Sequence, residues 1–358
     1  MKMRLAKILD AKTYTADVTE VINLYLTEPI SALHIEARSL NSSNTPAGHP
    51  AALIKKCEIL DGSNVLHSLN GYEMQARQFY TFGKSPENVV NFQNDVYCTA
   101  DFVIPFGRKL GDPLYALDPV RFKQLQLRIQ IDIGAAGSTC DAAILDIDAY
   151  VFDEFAINPV GFIAAKEYYR YSLVSSAIED IDLPRDRLLK SIMVQSLYTG
   201  KYPYEQYNKI KITEDNDRRV PYDIGVSRYM KFLASQFGKC EEHLSFTVDT
   251  SGIAAYVMPA YEVFAEGIGQ GGTALYFTQT AGNGGTVTLK GNAGGLFQGL
   301  VKGCAPHGAI ILPFGDPHNP EEWYDLARVG SLRAKVTAGS SVGASSECAI
   351  VTEQVEPY

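Results

Sequence analysis

The most constraining feature of this sequence is that part of it is written twice. Val103-Ile104-Pro105-Phe106-Gly107 runs on to Leu127-Arg128, and Ile311-Leu312-Pro313-Phe314-Gly315 runs on to Leu332-Arg333. In each copy an apolar strand ends in Pro-Phe-Gly, and an Asx-Pro pair follows, Asp118-Pro119 in one and Asn319-Pro320 in the other. A side chain that can accept from free backbone N–H groups, followed by Pro where no N–H is needed, predicts a short helix at the same place in both. Phe122 and Leu125 in the first copy, and Trp323 and Leu326 in the second, have the spacing of one helix face. A Leu-Arg strand, a Gly-Ser-rich turn (134–138; 339–346) and a strand opened by Cys140 or Cys348 complete each copy.

Weaker matches extend the repeat toward the N-terminus. Ile181 and Leu183 match Leu24 and Leu26, and Ser196-Leu197 matches Ser39-Leu40, at an offset of 157; Val220 matches Val65, and Phe237-Gly238-Lys239 matches Phe82-Gly83-Lys84, at 155. Their common order carries the argument, because internal self-similarity outranks any local assignment. At Pro-Phe-Gly the offset becomes 208, which places 53 extra residues between Lys239 and Ile311. This Gly-rich insertion predicts two strands, Ala274–Phe277 and Thr286–Leu289, around an Asn283-Gly284-Gly285 turn. It is expected to project from the scaffold toward partners.

Within the first copy, 22–26, 33–40 and 143–152 alternate as half-buried strands do. Asp61-Gly62 between Cys57-Glu58-Ile59 and Val65-Leu66-His67 predicts a hairpin. Gly71 to Phe82 has helical spacing through Tyr72, Ala76 and Phe79, and 158–161 (Asn-Pro-Val-Gly) reads as a hinge, with the second copy under way near Tyr168. Residues 1–17 read as an arm, with Met3, Leu5, Ile8 and Leu9 on one helix face among Lys2, Arg4, Lys7 and Lys12.

The 358 residues exceed what one core usually serves, which argues for two domains. An apolar fraction of 46%, with 30 Gly, 17 Pro, 21 Tyr and 16 Phe, favours an all-β fold. A net charge of −9 without basic runs argues against a nucleic-acid groove. The six cysteines (57, 98, 140, 240, 304, 348) include no C-x-x-C pair and read as reduced thiols in strands. No stretch approaches the roughly 20 apolar residues of a membrane span, and Met1 to Lys12 lacks the apolar core of a secretory signal.

No catalytic constellation emerges, so no catalytic, cofactor-binding or metal-binding residue is predicted. Gly83-Lys84-Ser85 ends like a phosphate-binding loop, but position 78, where that motif needs Gly, is Gln78; the glycines of 291–299 have no following Lys-Ser or Lys-Thr. Histidines 34, 49, 67, 243, 307 and 318 form no His-x-His or His-Glu-x-x-His cluster. Asp215-Asn216-Asp217 lacks the further oxygen ligands of a calcium loop and reads as a solvated turn. Glu179-Asp180 and Glu241-Glu242 read as exposed faces.

Two β-rich modules in tandem, each with a Pro-Phe-Gly strand, an Asx-Pro turn and a Leu-Arg strand, resemble the double jelly-roll major capsid proteins of tailless icosahedral viruses of bacteria and archaea. The resemblance spans about 18–356 and rests on 61–69 and the following helix, 105–107, 117–127, and the second-copy segment 313–332. It implies an all-β fold of two tandem eight-stranded jelly-roll sandwiches with short helices: the first at 1–157 with its arm, the second at 158–358 with an insertion at about 240–303. It further implies a structural subunit of a virion capsid, assembled in the host cytoplasm and catalysing no reaction. Its implied partners are two further copies in a pseudo-hexagonal trimer, neighbouring capsomers, penton or minor capsid proteins, and an internal lipid membrane approached by the arm. The competing expectation is a duplicated sandwich that binds carbohydrate through Tyr256, Tyr261, Tyr276 or Phe297, or a cupin-like enzyme.

Overall fold

In the computed structural model, residues 2–154, 156–270 and 277–358 are described. The chain opens with strands β1 (Met3–Tyr14), β2 (Val18–Asn23), β3 (Ile30–Asn41), β4 (Ile54–Asp61) and β5 (Asn64–Leu69), then helix α1 (Gly71–Phe82). Four more strands follow: β6 (Val89–Phe92), β7 (Tyr97–Pro105), β8 (Leu125–Ile131) and β9 (Cys140–Phe152). The same series then restarts as β10 (Gly161–Ser172), β11 (Ile178–Asp182), β12 (Leu189–Gln195), a single turn α2 (Pro203–Gln206), β13 (Tyr207–Glu214), β14 (Arg219–Gly225) and α3 (Val226–Phe237). After α3 come six strands with no counterpart of that length in the first series: β15 (Cys240–Val248), β16 (Ile253–Tyr256), β17 (Pro259–Gln270), β18 (Phe277–Asn283), β19 (Thr286–Gly291) and β20 (Gly295–Pro306). The chain closes on β21 (Ala309–Pro313), β22 (Leu332–Ala338) and β23 (Glu347–Pro357).

Strand order carries the duplication. The first series forms β1-β9-β3-β7 and β2-β8-β4-β5; the second forms β10-β23-β12-β21 and β11-β22-β13-β14, the same two four-strand orders. Single hydrogen bonds repeat as well. Leu24 N donates to Leu125 O at 3.0 Å, as Leu183 N does to Leu332 O at 2.9 Å. Phe106 N donates to Ser31 O and Phe314 N to Lys190 O, both at 3.0 Å, and the isolated bridge Ile30–Leu117 recurs as Leu189–Tyr324. The fold is thus the double jelly roll, all-β with short helices.

The rolls share a sheet. β5 lies beside β10 through the parallel pair Ser68–Lys166, so β2-β8-β4-β5 continues into β10-β23-β12-β21. All seven residues of β12 are buried, as expected of a strand covered on both faces. Likewise β6 pairs in parallel with β15, which joins the inserted strands β15, β20 and β17 to the first roll's other sheet. A small sheet, β16-β19-β18, packs beside them around Phe246, Val287, Leu289 and Phe297.

Several expectations change. Residues 3–14 are an edge strand paired with β9, with register shifts at Leu9 and Lys12, and not an amphipathic helix. Pairing with β9 satisfies backbone groups that a short isolated helix would have to satisfy alone. Each Asx-Pro pair opens one 3-10 turn of three residues, 119–121 and 320–322, after which Phe122 and Trp323 are already extended. The hydrogen bonds equate Leu332-Arg333 with Leu125-Gln126 and not with Leu127-Arg128, and Leu183 with Leu24 and not with Leu26. In the insertion, Thr286–Gly291 is a strand and the opposing strand begins at Phe277; Ala274, Leu275 and Tyr276 lie outside the described residues.

Candidate functional site

α1 begins as the sequence reads. Asn70 accepts from Glu73 N at 2.9 Å while the Glu73 carboxylate accepts from Asn70 N at 3.0 Å, a reciprocal cap. Gly83 closes it at φ +64°, where Gly carries no Cβ penalty. The helix belongs to the first roll yet is tied to the second at three points. Arg170 on β10 donates to Glu73 at 2.7 Å, Arg77 Nε donates to Glu353 on β23 at 2.7 Å, and Tyr80 Oη donates to Ala309 O on β21 at 2.9 Å.

At the middle point, Glu353 also accepts from Lys190 Nζ at 3.2 Å and from the Ser191 hydroxyl, while Arg77 Nη2 donates to Pro105 O at 3.0 Å. Burial alone would push the Glu353 carboxyl up; Lys190 and Arg77, with the hydrogen bonds they and Ser191 supply, overcome it and hold the group down at about 2. Arg170 also bridges Glu73 to Glu167. Burial and the neighbouring Glu167 raise Glu73 to about 8, against the opposing pull of Arg170.

A second polar network pins the insertion. His49 Nδ1 accepts from Ala51 N at 3.1 Å, so the proton sits on Nε2, which donates to Glu242 on β15 at 3.0 Å. Glu242 further accepts from Met258 N at 2.6 Å and Asn88 Nδ2 at 3.3 Å, and Asn88 exchanges hydrogen bonds with Gln75 of α1. His307, at the turn after β20, bonds Gln75 through Nε2 at 2.9 Å, and its ring lies 4.7 Å from that of His49. Histidines 258 positions apart in sequence thus meet, which no spacing motif could reveal. The expectation that Glu242 is exposed is corrected: β15 alternates, and Glu242 falls on its buried face.

The other residues singled out by sequence take structural roles. Lys84 and Ser85 follow a helix where a phosphate loop must precede one. Asp215 accepts from Ser331 N at 2.9 Å and Asp217 pairs with Lys211 at 3.0 Å. Tyr169 donates to Glu179, and Asp180 pairs with Arg333 at 2.7 Å. Tyr261 and Phe297 are buried, against Tyr202 and Tyr204 and against Phe246, so neither offers a stacking face to a sugar; Tyr256 is half-buried in a cleft of about 360 Å³ with Tyr72 and Tyr198. Tyr276 lies outside the described residues. All six thiols are free and buried, and among the described residues no three His, Cys, Asp or Glu side chains group as metal ligands.

No known protein family matches the sequence, and no curated protein does. Solved structures match over nearly the whole chain. The crystal structure of the STIV MCP aligns with a TM-score of 0.63 at 11% identity, covering 100% of this chain and 98% of its own. The atomic structure of Sulfolobus Turreted Icosahedral Virus gives 0.62 at 9%, covering 99% and 90%. The major capsid protein P2 from Bacteriophage PM2 gives 0.52 at 10%, covering 99% and 98%. The chain therefore has the double jelly-roll fold of viral major capsid proteins.

Proposed function

We propose that this chain is the major capsid protein of a tailless icosahedral virus, a structural subunit whose trimers tile the shell. The observation that carries this reading is the duplication at the level of single hydrogen bonds, in a chain that capsid subunits match from end to end. Two similar rolls per chain, taken three times, give a ring of roughly sixfold outline with true threefold symmetry, a shape that closes on itself and packs hexagonally. The rolls are assigned to 1–157 and 158–358, with the insertion at about 240–303 carried by the second and extending the first roll's sheet through β6 and β15. Its partners are two further copies, neighbouring capsomers and penton or minor capsid proteins. The place of work is the virion, after assembly in the host cytoplasm, and no reaction is assigned to it. The membrane contact expected of the N-terminal arm loses its amphipathic helix, because Met3–Tyr14 is committed to the sheet.

Size-exclusion chromatography with light scattering tests the reading. A stable species of three times the chain mass is expected; a monomer at every concentration that binds oligosaccharide would favour the carbohydrate-binding alternative.

A further inference from the structure

The ion cluster between the rolls is not balanced. Arg77 and Lys190 bring two positive charges to the single carboxylate of Glu353, and these residues are 3%, 5% and 2% exposed. Other buried acids of these elements are paired elsewhere: Glu73, one turn before Arg77 on α1, serves Arg170, Glu58 serves Arg128 and Lys56, and Glu356 serves Lys166 and Arg187. Two donor groups at the same seam lack partners among the described residues. Arg77 Nη1 makes no hydrogen bond, and neither does either ring nitrogen of His67, a side chain 1% exposed on β5.

Burial first, and then Arg77, push His67 well below its usual range against the pull of Glu353, and burial with Arg77 likewise lowers Lys190 against the pull of Glu353. An uncompensated charge in a dry interior is costly, and so is an unmade hydrogen bond. A buried water would answer the second need and leave the first. An anion answers the charge and accepts from both donors, Arg77 Nη1 and the one N–H of a neutral His67 ring.

We propose that the seam between the rolls binds one small monovalent inorganic anion, a halide such as chloride, held by Arg77 Nη1 and the His67 ring and balancing the Arg77–Lys190–Glu353 cluster. The site lies inside one chain, so it stands or falls independently of capsid assembly. With the anion in place the rolls are joined through a neutral cluster, and their docking strengthens with halide concentration.

The full chain is to be melted in sodium chloride, sodium bromide and sodium gluconate at matched ionic strength, and crystals grown in bromide measured at the bromine absorption edge. A saturable, one-site rise in Tm with chloride and bromide but not gluconate is expected, together with a bromine peak touching Arg77 Nη1 and His67. Lys190→Met leaves Arg77 and Glu353 balanced one to one and should abolish the halide dependence; His67→Phe, which removes only unpartnered nitrogens, should raise the half-saturating concentration. Superposed halide and gluconate curves would overturn the proposal. So would bromine peaks confined to the surface, an adventitious ion only, or water at the seam. Should Lys190→Met not fold, the wild-type titration and the bromine map decide by themselves.

Discussion

At the scale of residues, the informative positions are those where the two copies disagree. Register against Pro105 and Pro313 makes Ser191 the counterpart of Ala32, and Glu353 that of Tyr150; Lys190 stands where the first roll has Ser31. The second roll therefore carries an ion pair where the first carries a hydroxyl and a phenol. Breaking a buried pair from one side is expensive because the partner charge stays buried. Glu353→Gln should cost about 3–5 kcal/mol in chemical denaturation. The pH dependence follows from the depressed carboxyl. Its contribution is complete above the unfolded value near 4.5 and is lost as pH falls toward about 2, a loss of roughly 3 kcal/mol in the wild type that the Gln variant should lack. Equal acid sensitivity in the two proteins would contradict this. None of these residues was legible in the sequence: 77, 190 and 353 share no spacing, and only the pairing of β12 with β23 and the laying of α1 against them bring the three together.

At the scale of elements, local chemistry was readable where it was decisive. The Asp61-Gly62 turn, with Gly62 at φ +59°, and helix 71–82 stand where the sequence places them, since a turn needing positive φ and a capped, periodic helix are set by a few neighbouring residues. Asn70→Ala should therefore cost about 1 kcal/mol, and because the cap also fixes Glu73 under Arg170, Asn70→Asp should recover most of it. A loss confined to a few tenths would show that packing alone holds the helix. The N-terminal arm was misread because lysines and apolar residues at mixed spacing satisfy helix and bulged strand alike, and only pairing with β9 decides. The Leu-Arg match slipped by two for a related reason. A shift of two residues keeps every side chain of a strand on the same face, so the pattern tolerates it and only the ladder hydrogen bonds reject it.

At the scale of the whole molecule, the duplication and the insertion were legible because both are counts along the chain. The joining of the rolls was not. That β5 would meet β10, and β6 meet β15, depends on strands distant in sequence finding parallel partners, and α1 gives no local sign that it will be buried against the other roll. These junctions join two similar halves through continuous sheets, as the proposed hexagonal tile needs. Electron microscopy of the purified protein tests that most directly. Class averages should show threefold particles with a six-lobed outline, two lobes per chain; single two-lobed particles at every concentration, or rings of any other order, would contradict the account.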